Sequence, residues 1–249
     1  GRGALITGAS KGMGKAMALG LAEHGSHVVI SSRKQDACEE TAAEINAAVG
    51  AERAIAIACN IGYKDQLQHL VDETRSRLGP IDTLIANAGV NPFYGPMSQI
   101  PDEAFDKTMN SNLRSNHWLC QMVAPDMLAK KRGAIMITAS VGAFGPSDTL
   151  GTYNISKMAD IALVRNLAME WGPEGVRVNA LCPGLIRTDF AKALWDNPEA
   201  AKRVTEQTPL RRFGEAEDFK GIAVFVASDA SAYVTGQALT VCGGTHMFR

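Results

Sequence analysis

The stretch GALITGASKGMGKAMAL, residues 3–19, decides how the rest of the chain is read. Gly3–Thr7 is a short apolar run that predicts a buried strand, and the residues from Lys11 onward favour a helix. Between them lies a turn carrying Gly8, Gly12 and Gly14. A glycine turn between strand and helix suits a phosphate. Gly8 can turn sharply, Gly12 lets the backbone approach a pyrophosphate, Gly14 permits close helix–strand packing, and the helix N-terminus supplies unpaired N–H donors. The spacing is G-x-x-x-G-x-G, not G-x-G-x-x-G, and no G-K-[ST] follows as in a P-loop. Tight packing alone would also account for such a turn, so the remainder of the chain has to decide.

Outward from this stretch, short β-branched runs alternate with longer helical ones. Strands are predicted at GALIT, HVVIS, RAIAIACN, IDTLIANAG, AIMITAS, VRVNALCPG and QALTVCGG. Helices are predicted between them, including a long one over 102–131 with a kink at Pro125, one over 152–171 and one over 215–227. Strictly alternating elements call for a doubly wound parallel sheet with helices on both faces, and right-handed crossovers then place ligands beyond the carboxyl ends of the strands. The irregular segments GASKGMG, NAGVNPFYG, SVGAFGPSD and CPGLIRTDF all follow strand ends.

Composition narrows the function. The chain has 249 residues, of which 46% are hydrophobic, enough for one large core and a single domain spanning 1–249. A net charge of −1 provides no overall field to attract nucleic acid or anionic lipid. The five cysteines (Cys38, Cys59, Cys120, Cys182 and Cys242) are widely spaced and mostly sit in apolar runs, which suggests buried thiols in a reducing, cytoplasmic setting. The histidines form no metal-ligand pattern, so no metal is expected, and no apolar run approaches the length of a membrane helix. No secretory signal is visible, and because Gly1 lies almost inside the first strand, a few residues are expected to precede it.

The chemistry is carried by TYNISKMAD, which sets Tyr153 and Lys157 at i, i+4, on one face of a helix. A lysine ammonium beside a phenol favours the phenolate and suits it to proton transfer. A surface stacking pair would have the same spacing, but this pair follows the predicted fifth strand and a serine-bearing loop, where a carbonyl substrate would sit. Ser140 closes AIMITAS and can point its hydroxyl into that crevice; Thr138 and Ser147 are its nearby competitors.

Taken in order, Thr7–Gly14, the N-A-G of Asn87, Ala88 and Gly89, Asn112 in MNSNL, Ser140, the Y-x-x-x-K of Tyr153 and Lys157, and the P-G of Pro183 and Gly184 resemble the short-chain dehydrogenase/reductase family over essentially the whole chain. SSRKQ, NAGVNPFYG and PGLIRTDFAKALW further resemble its NADP-dependent carbonyl reductase branch, which includes peroxisomal retinal-type reductases. The ending HMFR is not an S-K-L-type signal, so that location is not carried over. The resemblance implies a single Rossmann-type domain, probable seven-strand count included, and a homo-oligomer, dimer or tetramer. It makes Tyr153 the acid in reduction and the base in oxidation, and has Lys157 favour the phenolate and bond the nicotinamide ribose. Ser140 then bonds the substrate carbonyl and Asn112 anchors a relay water, with Asn110 and Asn116 as rivals for that role. It implies NADP(H) held by Gly8, Ser10, Lys11, Gly12, Met13, Gly14, Ser32, Arg33, Asn60, Ile61, Asn87, Ala88, Gly89, Tyr153, Lys157, Pro183, Gly184, Ile186 and Thr188. One departure is Asn60, which stands where the family usually has an aspartate holding the adenine amine.

NADP(H) over NAD(H) is expected from the end of the second strand, where VVISSRK presents Ser32 and Arg33 in place of an acid. Phe93, Tyr94, Phe144, Leu185 and Trp195 are the candidate substrate-lining residues, and the polar segment 187–213 is expected to act as a substrate flap. Apolar residues on more than one face of the Tyr153 helix, together with Trp118, Leu119 and Met122, suggest a helix-pair interface between copies. The function expected is carbonyl reduction or secondary alcohol oxidation. The alternatives are a 3-oxoacyl-carrier-protein reductase docking through Lys130–Arg132 or Arg211–Arg212, an NAD-dependent alcohol dehydrogenase, and a non-enzymatic dinucleotide sensor, which would not need the Ser-Tyr-Lys set.

Overall fold

A computed structural model describes residues 2–188 and 195–247. Seven parallel strands form one sheet: β1 Gly3–Thr7, β2 His27–Ser31, β3 Ala54–Ala56, β4 Thr83–Ala86, β5 Gly133–Thr138, β6 Val176–Pro183 and β7 Ala238–Val241, in the order β3-β2-β1-β4-β5-β6-β7. β1, β4 and β5 are buried along their whole length, as strands covered on both faces must be. The strand order reverses at β1 and β4, which is the Rossmann-type switch point where the carboxyl ends diverge and leave a crevice.

Among the described residues the helices are α1 Gly12–Glu23, α2 Gln35–Val49, α3 Lys64–Leu78, α4 Asp102–Met109, α5 Ser115–Lys130, α6 Gly151–Trp171, α7 Pro198–Gln207 and α8 Lys220–Ala227. Leu67, Leu70 and Val71 of α3, Leu119 and Val123 of α5, and Ile161 and Val164 of α6 close one face of the sheet. Met17 and Leu21 of α1, Ile45 of α2, and Ala223 and Val226 of α8 close the other.

Several elements differ from the sequence expectation: β4 and β7 span only 83–86 and 238–241 of the expected 81–89 and 237–244, and three more depart as follows. The third strand is three residues long, not the run 53–60, because it lies at the sheet edge; Ile57 and Cys59 continue to donate to Ile30 and Ser32 outside regular strand geometry. The long helix over 102–131 continues through Pro125, and its departure from α geometry is a π turn at Asn110–Arg114. The helix expected over 215–227 begins as a 3-10 turn, Ala216–Phe219, fixed by a reciprocal Glu215–Asp218 capping box. Of the segment 187–213, residues 189–194 lie outside the described residues, while Trp195 Nε1 donates to the Thr188 carbonyl at 2.9 Å. Among the described residues no helix is long and apolar enough to cross a membrane, and no group of side chains could hold a metal.

Candidate active site

The crevice starts at the glycine turn. Gly8 has φ +63°, in the left-handed region, so the chain reverses immediately after β1. Gly14 packs so closely that a Cβ there would meet the Gly8 carbonyl oxygen at 2.2 Å. Lys11 is the N-cap of α1 with no side-chain capping bond of its own, and the first turn carries no acid. The first-turn N–H groups and the positive end of the helix dipole therefore point into the crevice, a donor set that matches a pyrophosphate. Across the turn, Thr188 comes within 3.4 Å of where a Gly12 Cβ would be, so the segment after β6 forms the opposite wall. Pro183 ends β6 and Gly184 packs on Cys242, while Ile186 is buried and bridges to Gly214.

Asn87 ties the strand ends together. Its Nδ2 donates to the carbonyls of Thr7 and Gly8 at 3.2 and 3.1 Å, and its Oδ1 accepts from the Thr138 hydroxyl at 3.3 Å. The Thr7 hydroxyl in turn accepts from the backbone N–H groups of Asn87 and Ala88. This web holds β1, β4 and β5 in register where a dinucleotide would cross them. Thr7 appeared in the sequence pattern without a role; its hydroxyl is what fixes the N-A-G turn.

The residues beyond β2 and β3 are less tightly bonded. Ser32 is half-buried with its Oγ 3.2 Å from Cys38 Sγ, and Arg33 and Lys11 are both exposed. Ser10 lends its carbonyl to the Thr41 hydroxyl, and Met13 packs on the α1 side of the core. The Asn60 Oδ1 accepts from Gly62 N–H at 3.1 Å, so one of its two lone pairs is used within its own turn, and Ile61 packs against the core beside it.

Beyond the end of β4, the π turn buries Asn112 completely. Its side chain accepts from Val90 N–H at 2.8 Å and donates to the Val90 carbonyl at 2.9 Å and the Ser156 hydroxyl at 3.0 Å. Ser140 begins the 3-10 turn Val141–Phe144, which packs on α6, and its Oγ accepts from Gly142 N–H at 3.1 Å. Its competitors are otherwise engaged: Thr138 bonds Asn87, and Ser147 accepts from the backbone of Thr149 and Leu150 just ahead of α6. Asn110 donates to the Gly62 carbonyl at 3.1 Å, away from this cluster.

Tyr153 is half-buried, and Lys157 Nζ lies 5.9 Å from its ring centroid. Lys157 itself is buried and donates to the Thr138 carbonyl at 2.7 Å and to Asp160 Oδ2 at 3.1 Å. A Cβ on Gly89 would sit 3.6 Å from Lys157 Nζ, so a larger side chain there would crowd the ammonium. Burial pushes the Asp160 carboxyl above the ordinary carboxylate range, opposed by the Lys157 charge and the bond from Asn116. Sequence reasoning passed over Asp160; the available signal was an acid three residues after Lys157 on the same helix. Of the candidate substrate-lining residues, Phe144 stacks on His246 with centroids 4.4 Å apart, while Leu185 and Tyr94 are exposed.

Residues 8–246 match the family model described as Enoyl-(Acyl carrier protein) reductase. Among curated relatives, Dehydrogenase/reductase SDR family member 4 of Oryctolagus cuniculus is 37% identical over 241 residues, covering 97% of this chain and 92% of that protein. A gluconate 5-dehydrogenase from Burkholderia cenocepacia in complex with NADP and tartrate superposes with a TM-score of 0.93 at 32% identity, covering 98% of this chain and 95% of that one. A 7 alpha-hydroxysteroid dehydrogenase with NADH and 7-oxo glycochenodeoxycholic acid superposes equally well, TM-score 0.93, at 36% identity, covering 98% and 94% of the two chains.

Proposed function

Because the chain belongs to the short-chain dehydrogenase/reductase family, we propose that it is an NADP(H)-dependent oxidoreductase of carbonyl reductase type, interconverting a ketone or aldehyde and the corresponding alcohol. The observation that carries this reading is Lys157, which faces the Tyr153 ring and bonds the carbonyl of Thr138, two residues before Ser140 at the end of β5.

The bound nicotinamide supplies or accepts the hydride. The first turn of α1 binds the pyrophosphate, with Thr188 opposite. Arg33 and Lys11 bind a 2′-phosphate, which Ser32 leaves room for by bringing no negative charge. The Ser140 hydroxyl donates to the substrate oxygen as charge builds there. Tyr153 gives its phenolic proton to that oxygen in reduction and takes it back in oxidation. The Lys157 ammonium, which faces the Tyr153 ring, would bond the nicotinamide ribose past Gly89. Asn112 anchors the relay water from its place in the π turn, whose geometry its bonds to Val90 and Ser156 support.

Docking of a carrier protein is less well supported. Lys130 pairs with Asp82, Arg132 with Asp229 and Arg212 with Asp218, so much of the positive charge considered for such a dock is matched by the chain's own acids. The test is cofactor oxidation over a panel of ketones, aldehydes and acyl-carrier substrates, run with NADPH and NADH in parallel. Turnover of small carbonyls with NADPH is the expected result; turnover confined to carrier-linked substrates, or none with any carbonyl, contradicts the reading.

A further inference from the structure

Asp160 is fully buried, and its carboxylate meets one cation, the equally sequestered Lys157. Its Oδ2 accepts from Lys157 Nζ at 3.1 Å and its Oδ1 from Asn116 Nδ2 at 3.0 Å. The same Asn116 Nδ2 donates to the Asn112 carbonyl at 2.5 Å. The carboxylate thus sits at the back of the site, joined on one side to Lys157 and on the other, through Asn116, to Asn112. A buried charge pair is a weak source of stability, since desolvation offsets most of the attraction. A hydrophobic residue at this position would pack an apolar helix face without that cost.

We propose that Asp160 is a positioning residue for proton transfer: its carboxylate holds the Lys157 ammonium against the end of β5 and offsets part of the positive charge that Lys157 presents to Tyr153. The proposal rests on the reading of Tyr153 and Lys157 as the proton-transfer pair. Two of the three ammonium protons are fixed, one on the Thr138 carbonyl and one on Asp160, which leaves the third for the crevice. The other titratable groups nearby stay uncharged. Burial raises the Cys120 thiol of α5 well above the usual thiol range and the Cys182 thiol of β6 to about 12. The charged side chains of α4, Asp102, Glu103, Asp106 and Lys107, are exposed, as are His117 of α5 and Arg165 and Glu170 of α6. Asp126 of α5 pairs with Arg75, and Lys130 with Asp82. Among the described residues of this buried shell, Asp160 is the acid that counters Lys157.

The test compares pH profiles of kcat for wild type, Asp160→Asn and Tyr153→Phe, in both reaction directions. In Asp160→Asn the ammonium keeps two oxygen acceptors but loses its counter-charge. The ionisation governing alcohol oxidation is expected to move toward acid by about one pH unit, with the plateau rate within about tenfold of wild type. Asp160→Ser, which is smaller and still polar, should move it the same way. A profile that only scales down without moving, or moves toward alkali, overturns the proposal, and so does failure of both variants to fold, which would mark the carboxylate as purely structural. Tyr153→Phe separates this from the underlying reading: if it retains turnover the proton-transfer assignment fails, whereas an inactive Tyr153→Phe beside an unshifted Asp160→Asn defeats the Asp160 role alone.

Discussion

The ammonium of Lys157 stands 3.1 Å from the carboxylate of Asp160, one turn along the same helix and with both side chains buried. Lys157→Met strands that carboxylate, and breaking a buried pair from one side costs about 3 kcal/mol or more. Burial already raises the Asp160 carboxyl in the folded state, and losing the ammonium raises it further. A carboxyl that is less acidic folded than unfolded takes up a proton on folding. Its penalty is therefore absent below the unfolded value and grows as pH rises toward the folded one. Urea denaturation should find Lys157→Met much less stable than wild type at pH 8 and closer to it at about pH 5. The double variant Lys157→Met/Asp160→Leu should recover stability at both. An equal deficit at both pH values would contradict this account of the pair.

The glycine turn gives a steric prediction. Gly14→Ala puts a methyl group 2.2 Å from the Gly8 carbonyl oxygen and 2.8 Å from Asn87 Nδ2. Backbone has to move, at a cost of about 1–3 kcal/mol, and the strand-end web moves with it. Calorimetry should show weakened dinucleotide binding and a lower Tm. Gly172→Ala, where a Cβ meets nothing within 4 Å, should leave both unchanged. Wild-type cofactor affinity in Gly14→Ala would show that the turn does not seat the dinucleotide.

Arg33 lies exposed just beyond β2, where a 2′-phosphate would reach it. Arg33→Asp should lower the NADPH-to-NADH ratio of kcat/KM by about ten- to hundred-fold, the value of one or two charge-assisted bonds. Steady-state kinetics with each cofactor measure it. A wild-type enzyme that uses NADH as well as NADPH would remove the phosphate-binding role of Arg33 and Lys11.

Much of this was legible in the sequence because the signals were local. Buried parallel strands are continuous apolar runs, and β1, β2, β5 and β6 fall within a residue or so of the expected segments. The i, i+4 spacing of Tyr153 and Lys157 survives because any helix through both preserves it. What stayed hidden depends on long-range packing. β3 is cut short by its place at the sheet edge, and the π turn around Asn112 has no marker in MNSNL. Asp160 reads as an ordinary helix acid until the fold buries it between α5 and Lys157. The roles of Thr7 and Asn116 likewise arise only when β1, β4 and the two central helices meet.

Residues 195–213 carry the described part of the segment expected to cover the substrate, anchored by the bond from Trp195 to the Thr188 carbonyl. Hydrogen exchange should slow in this stretch when NADPH is added and slow further with the alcohol product. Equal exchange with and without cofactor would count against a covering role.

The most direct test of the account is Tyr153→Phe, which removes one oxygen and leaves the ring that Lys157 faces. NADPH oxidation with the best carbonyl of the panel is followed at neutral pH, and NADPH affinity is measured in parallel. If Tyr153 carries the proton, kcat falls by about 10² to 10⁴ while the Kd for NADPH stays within about threefold of wild type. A Tyr153→Phe enzyme with near wild-type kcat would contradict it.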